Sequence, residues 1–372
     1  MVIEHGVEGW ELKSHHIQAH LTREGGMLSS VIFKLNDIFV QPYSLSPWQP
    51  NEVDQNIPSL IKVLRGDFFC LPFGPQDDGF PHGEPANSAW SLMKRQEHQI
   101  TLKIDCQDSG ATVIKNIMLG EDHPAIYQNH ELFNLSGNWS YGNHPILDCS
   151  KLSEGGARVT LSPFRWGSVY PGIFSNPTAG ERQCLQPAAT FTSLDSVPLL
   201  NGGTADLTYW PSRQGFDDLV MVVSEPASSD QPFAWSAITM GDYVWFSLKN
   251  PQDFPSTLLW MSNGGRNKAP WSGRHLGRIG IEEVCSHFCD DIKTSRQEHL
   301  SEIPTIRTFD KKKSVSLPII HGVTNLPTDF GAVYKIKPHD SKSIFIYGND
   351  RKHPIEVTID WSFVINKSSN KK

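Results

Sequence analysis

Five polar side chains stand in local settings that do not account for them. Arg65 lies inside the apolar run VLRGDFFCLPFG, and His82 in the loop DGFPHGEPANSAW. His144 sits between Asn and Pro in YGNHPILDCS, Asp217 at the mouth of an apolar strand in QGFDDLVMVV, and Glu282 in GRIGIEEVC. Histidine and glutamate are side chains whose protons move near pH 7 once their environment tunes them. Arginine and aspartate offer the forked and acceptor groups that hold hydroxyls. Each residue also has an ordinary reading. An Arg before a strand makes a surface ion pair, a His before Pro belongs to a turn, and an acid at a strand mouth caps it. No one of the five argues alone.

The elements that must position them read as strands. Apolar residues alternate at Ile17, Ala19 and Leu21, and at Ile100, Leu102 and Ile104. The same period runs through Ile355, Val357, Ile359, Trp361 and Phe363. MLSSVIFKL, LVMVVS, YVWFSL and SIFIYG add further strands, separated by turns such as Glu24-Gly25-Gly26 and Asn263-Gly264-Gly265. Val284 to Leu300 is the one stretch that fits a short helix. Strand-turn-strand order without intervening helices predicts an all-β fold, a large antiparallel β-sandwich with few short helices. The expected organisation is a single domain over 1–366, with a ligand cleft among its rim loops, and a frayed polar tail over 367–372. Two prolines and two glycines make the His82 loop a rim loop, with Gly83 allowing a sharp turn or a close approach.

Composition excludes several classes. The 372 residues carry 33 basic and 40 acidic side chains, a net charge of −7. That is not the dense basic surface of a nucleic-acid binder, so no nucleic acid is expected. No apolar run reaches membrane-spanning length and the N-terminus is not a secretory signal, which together predict no membrane partner and a cytoplasmic location. Six cysteines without framework spacing read as free thiols. Phosphate-cradling, dinucleotide, Gly-x-Ser-x-Gly and His-Glu-x-x-His motifs are absent. HHIQAH (His15, His16, His20) reads as a polar sheet face. CSHFC would aim Cys285, His287 and Cys289 one way on a strand but lacks a fourth ligand. No metal and no cofactor are expected.

In order, the five residues sit in the text LRGDFF…PHG…GNHP…GFDDLV…SNGGR…GIEE. This resembles the aldose 1-epimerase, or galactose mutarotase-like, superfamily over roughly Gly25 to Glu283. The resemblance implies an isomerase that interconverts the α and β anomers of a hexose or hexose derivative. Its partner is then a small-molecule sugar or sugar phosphate, and its assembly a monomer or homodimer. Carried over by position, Glu282 is the general base on the anomeric hydroxyl and His144 the general acid at the ring oxygen. His82 assists there, and Arg65 and Asp217 hold hydroxyls. A carboxylate and an imidazole on opposite sides of the ring suit this chemistry near neutral pH.

Sugar binding asks for more. Asn87 is a further hydroxyl partner, and Trp90, Trp166, Trp260 and Trp271 supply rings for the C–H face, with at least two of the four expected in the core. PWSGRH forms a rim loop from which Arg274 or His275 can reach a sugar substituent. Glu283 stands where relatives often have Pro, and Glu84 follows His82-Gly83, so each competes with Glu282 as the site acid. Neighbouring strand residues face opposite ways, so only one of Glu282 and Glu283 can line a given pocket. A non-catalytic carbohydrate-binding sandwich and another carbohydrate-active enzyme on the same scaffold are the alternatives.

Overall fold

Alternation of period two becomes antiparallel ladder in nearly every place it is read. The computed structural model describes residues 1–77, 79–297 and 303–365. Ile17–Thr22, Leu28–Leu35, Gln99–Asp105, Phe216–Ser224, Tyr243–Lys249 and Ser343–Tyr347 are all strands, so the all-β reading holds. Their order builds a nine-stranded and an eight-stranded sheet, flanked by a five-stranded N-terminal sheet and a three-stranded one near the C-terminus. The expected tail, and the end of the expected helix at Leu300, lie outside the described residues.

The two large sheets share one core. Ile100, Ile117 and Trp245 of the first meet Val220, Leu259 and Ile281 of the second. Alternate residues of the eight-stranded sheet point the other way. Leu219, Met221, Leu258, Trp260 and Val284 pack instead with Trp48, Leu64, Phe68 and Trp271 from the covering loops. This parity places the site. On Arg278–Cys285, the core receives Ile279, Ile281 and Cys285. Glu283 shares their side and Glu282 shares that of Val284. The C-terminal strands have a role of their own, since Ile336, Ile344 and Ile346 cover Trp235, Phe246 and Ile320 on the outer side of the nine-stranded sheet.

Glu283 crosses the core to a partner. Lys249 Nζ lies 2.5 Å from its Oε2. Ser236 and Thr257 hydroxyls each donate to the carboxylate at 2.7 Å. The ion pair is almost wholly buried and ties the two sheets together.

Three sequence expectations need correction. Val284 and Cys285 end a strand, because Ser256 and Tyr141 pair with them, and the short helix among the described residues of this stretch is Ile292–Ser295. The last alternating run stops as a strand at Thr358 and continues as a 3-10 turn, Trp361–Val364. There the Trp361 indole donates to the Asp340 carbonyl at 2.5 Å. His20 is buried rather than on a polar face, because a register shift between Ala19 and Leu21 breaks the alternation.

Candidate active site

Strand register brings Glu282 and His144 together across 138 positions of chain. Asn143 pairs with Glu283 and Ile146 with Gly280. That common register sets His144 opposite Glu282. Around it the His144 N–H donates to the Phe68 carbonyl at 2.9 Å, and the Ile281 N–H to the Pro145 carbonyl at 3.0 Å. His144 Nε2 then lies 3.3 Å from Glu282 Oε1. Gly280, two residues back on the same face, leaves the room the carboxyl needs, since a Cβ there would come within 2.5 Å of that oxygen. The acid and the imidazole therefore stand side by side. This corrects the expectation that they flank a sugar from opposite sides.

The pair borders a cleft of about 330 Å³, at the small end of the range usual for small-molecule sites. Trp260 and Trp271 form its aromatic floor, meeting edge to face at 5.7 Å. Phe68 stacks on the His144 ring at 4.6 Å. Leu60, Ile61 and Leu64 line one wall, and Ile173, Phe174 and Leu219 another.

His82 borders the cleft from a segment that is a short helix over Gly83–Asn87 rather than loop throughout, and the local geometry explains the His-Gly pair. His82 has φ 62° and stands at the N-cap position of that helix without a capping side-chain bond. Its N–H donates to the Gly74 carbonyl at 2.7 Å, and the Gly74 N–H donates back to His82 Nδ1 at 3.3 Å. With Nδ1 accepting, the ring proton sits on Nε2. Gly83 has φ +74°, and a Cβ there would lie 1.9 Å from the Leu71 carbonyl oxygen. The glycine serves backbone packing, which is what holds His82 in place. Gly83→Ala is expected to cost about 1–3 kcal/mol of stability through a disfavoured φ and this clash, read as a lower urea midpoint.

Arg266 is the site residue that sequence reasoning did not assign. Its guanidinium lies over Phe174, Trp260 and Trp271, 4.8 to 5.3 Å from the ring centroids, and it borders the cleft. The signal is in SNGGR, which the resemblance includes without giving its arginine a role. Gly265 fits because a Cβ would lie 2.2 Å from the Asp217 nitrogen, so the loop packs on the strand and delivers Arg266 inward.

Burial governs the protons. Desolvation pushes the Glu282 carboxyl up to about 8, with Arg266 pulling the other way. Desolvation first, then the neighbouring His82, holds His144 well below the usual imidazole range. Burial lowers His82 to about 3. At pH 7 Glu282 is a neutral acid beside a neutral imidazole. The pair thus offers one transferable proton and one free acceptor.

The structure brings His82, His144, Glu282, Trp260 and Trp271 around one cleft, and it places the other expected sugar-binding residues elsewhere. Arg65 is buried away from it, with Nε donating to the Val63 carbonyl at 2.7 Å and its fork aimed at Ser29 and His5. Asn87 accepts from the Leu60 N–H and donates to the Pro81 and Gly83 carbonyls, which pins the His82 loop to the Leu60 wall. Asp217 accepts from the Trp260 indole at 3.2 Å and the Gly265 N–H at 2.8 Å, and lies 3.7 Å from Arg266. It orients the floor and the cation rather than bordering the cleft. Arg274 is turned to Glu52 at the surface. His275 stacks behind Trp260. Trp90 is in the inter-sheet core and Trp166 packs partly into the covering cluster. Glu84 accepts from the Asp108 N–H, away from the pair. The CSHFC residues diverge once the strand ends: Cys285 is buried, His287 binds Asp290 at 2.7 Å, and Cys289 borders the cleft.

No protein-family profile matches the chain, and no curated protein matches it in sequence. Solved structures do match. A galactose mutarotase related enzyme from Lactobacillus acidophilus superposes with a TM-score of 0.56 at 12% identity, covering 86% of this chain and 99% of that one. A galactose mutarotase-like protein from Lactobacillus casei gives 0.55 at 12%, over 85% of this chain and 100% of that one. The GalM/aldose epimerase homologue from C. elegans gives 0.56 at 11%, over 86% and 100%. Among the described residues no helix is long and apolar enough to cross a membrane. With its two large antiparallel sheets and these neighbours, the chain has the galactose mutarotase-like β-sandwich fold.

Proposed function

We propose that the protein is an aldose 1-epimerase-like isomerase that interconverts the anomers of an aldose by acid/base ring opening. The observation that carries this is the His144–Glu282 pair, 3.3 Å apart on the wall of an aromatic-floored cleft. Mutarotation needs a proton taken from O1 as another is given to O5. Both oxygens are bonded to C1, so an acid and a base standing side by side can serve them together. The C1–O5 bond then breaks to the aldehyde. Rotation about C1–C2 and reclosure return both protons by the reverse transfers. The net proton count on the pair is unchanged, and it can begin from either tautomer.

In this reading Glu282 and His144 are the acid/base pair, and His82 donates from Nε2 to a ring or hydroxyl oxygen. Trp260 and Trp271 carry the C–H face of the sugar. Arg266 takes the hydroxyl-holding place first given to Arg65. The test is anomer exchange at equilibrium by NMR, on glucose, galactose and their 6-phosphates. Exchange above the buffer rate is expected for at least one sugar. Sugar binding without any exchange removes the enzyme and leaves a carbohydrate-binding sandwich.

A further inference from the structure

Among the described residues, the polar side chains of the cleft are too few for a fully hydroxylated hexose. Among the described residues six border it besides the two indoles: His82, His144, Tyr170, Arg266, Glu282 and Cys289. The Tyr170 hydroxyl donates to Asp290 at 2.7 Å and keeps only its acceptor lone pairs, and a thiol is a weak partner. Under the epimerase reading, on which this step rests, O1 and O5 occupy Glu282 and His144. Arg266, His82 and the Trp271 indole remain as donors, and the Tyr170 oxygen as the one side-chain acceptor among the described residues. A hexopyranose brings four more hydroxyls, each wanting an acceptor as well as a donor. The side chains that could have supplied acceptors, Asn87 and Asp217, are spent on backbone, indole and loop contacts.

What faces the rest of the ligand is aliphatic. Leu60, Ile61 and Leu64 come from one segment, and Leu219 and Phe174 continue the surface toward Ile173, which is 74% exposed at the mouth. A hydroxyl pressed on this wall gives up its water without replacement. A methyl group in its place gains by burial.

We infer that the cleft is built for a deoxy aldose, one in which methyl or methylene groups replace hydroxyls along the Leu60–Leu64 wall. An apolar wall rejects an added hydroxyl by roughly 10- to 100-fold. The experiment measures kcat/KM for anomer exchange with D-glucose and D-galactose beside their 6-deoxy counterparts, and the affinity of all four by NMR titration of the full chain. Preference for the 6-deoxy sugars by about 10- to 100-fold is expected. Exchange on the parent hexoses at an equal or greater rate overturns this inference while leaving the epimerase reading intact. Absence of exchange on every sugar removes the epimerase reading. The affinities then decide the deoxy inference: it stands on tighter 6-deoxy binding and falls on equal or absent binding. Ile61→Gln, which sets an amide on the wall, is expected to shrink the 6-deoxy preference several-fold. An unchanged preference in a folded variant also overturns the assignment.

Discussion

Glu282→Gln is expected to lower the anomer-exchange rate by about 10²–10⁴-fold, the usual contribution of a positioned proton-transfer group. The amide keeps the shape of the carboxyl beside His144 but cannot exchange the proton that mutarotation requires. His144→Asn removes the other half and is expected to lose as much. The two effects together are expected to be far from additive, because the residues act as one unit. Residual exchange in Glu282→Gln near the wild-type rate would move the chemistry off this pair.

The same substitution separates function from stability. Burial raises the Glu282 carboxyl from its ordinary 4.5 to about 8. A folded-state pKa above the unfolded one means the folded protein holds a proton that the unfolded chain has released. The resulting stability is full below the unfolded pKa and is lost as pH rises through about 8. Gln is neutral throughout. Glu282→Gln is therefore expected to melt above wild type at pH 8.5, with the gap closing toward pH 4. For the wild type, exchange is expected to fall as pH rises through about 8, when the pair loses its transferable proton. A melting difference of the opposite sign would mean an ionised Glu282 held by Arg266.

The largest loss of stability is expected at Lys249→Met. The substitution strips from Glu283 its Lys249 cation, and the carboxylate remains buried between the sheets with Ser236 and Thr257. Breaking a buried pair from one side costs about 3–5 kcal/mol, whereas replacing both partners by apolar groups is often neutral. Lys249→Met together with Glu283→Leu is expected to recover most of the loss. Urea unfolding of the two variants checks this. A loss below about 1 kcal/mol in the single variant would be the behaviour of a solvated pair.

Part of the candidate site was legible, though only from the five residues taken in order. The PHG text gave His82 and a turn at Gly83, and GNHP and GIEE gave His144 and Glu282; that His82 itself takes the αL conformation did not follow from it. The indoles at 260 and 271 were among four candidates that local sequence could not rank. The hydroxyl-binding residues were the weak part. Arg65, Asn87 and Asp217 have the right chemistry, but hydrogen-bonding capacity is finite, and each has spent its own on backbone, indole or loop partners. Arg266 was hidden for the converse reason. Its position depends on Gly265 packing against a strand some fifty residues earlier.

Sequence by itself determined the strands, since period-two burial is a property of a few consecutive residues. It determined that Glu282 and Glu283 face apart, and that proton-transfer types recur in order along the chain. Only the tertiary structure decided which glutamate is which. That choice depends on the side of the sheet that meets the second sheet, where Lys249 claims Glu283 and the covering loops enclose Glu282. It alone decided that His144 stands beside the acid rather than across from it, because pairing register joins residues that no local pattern connects.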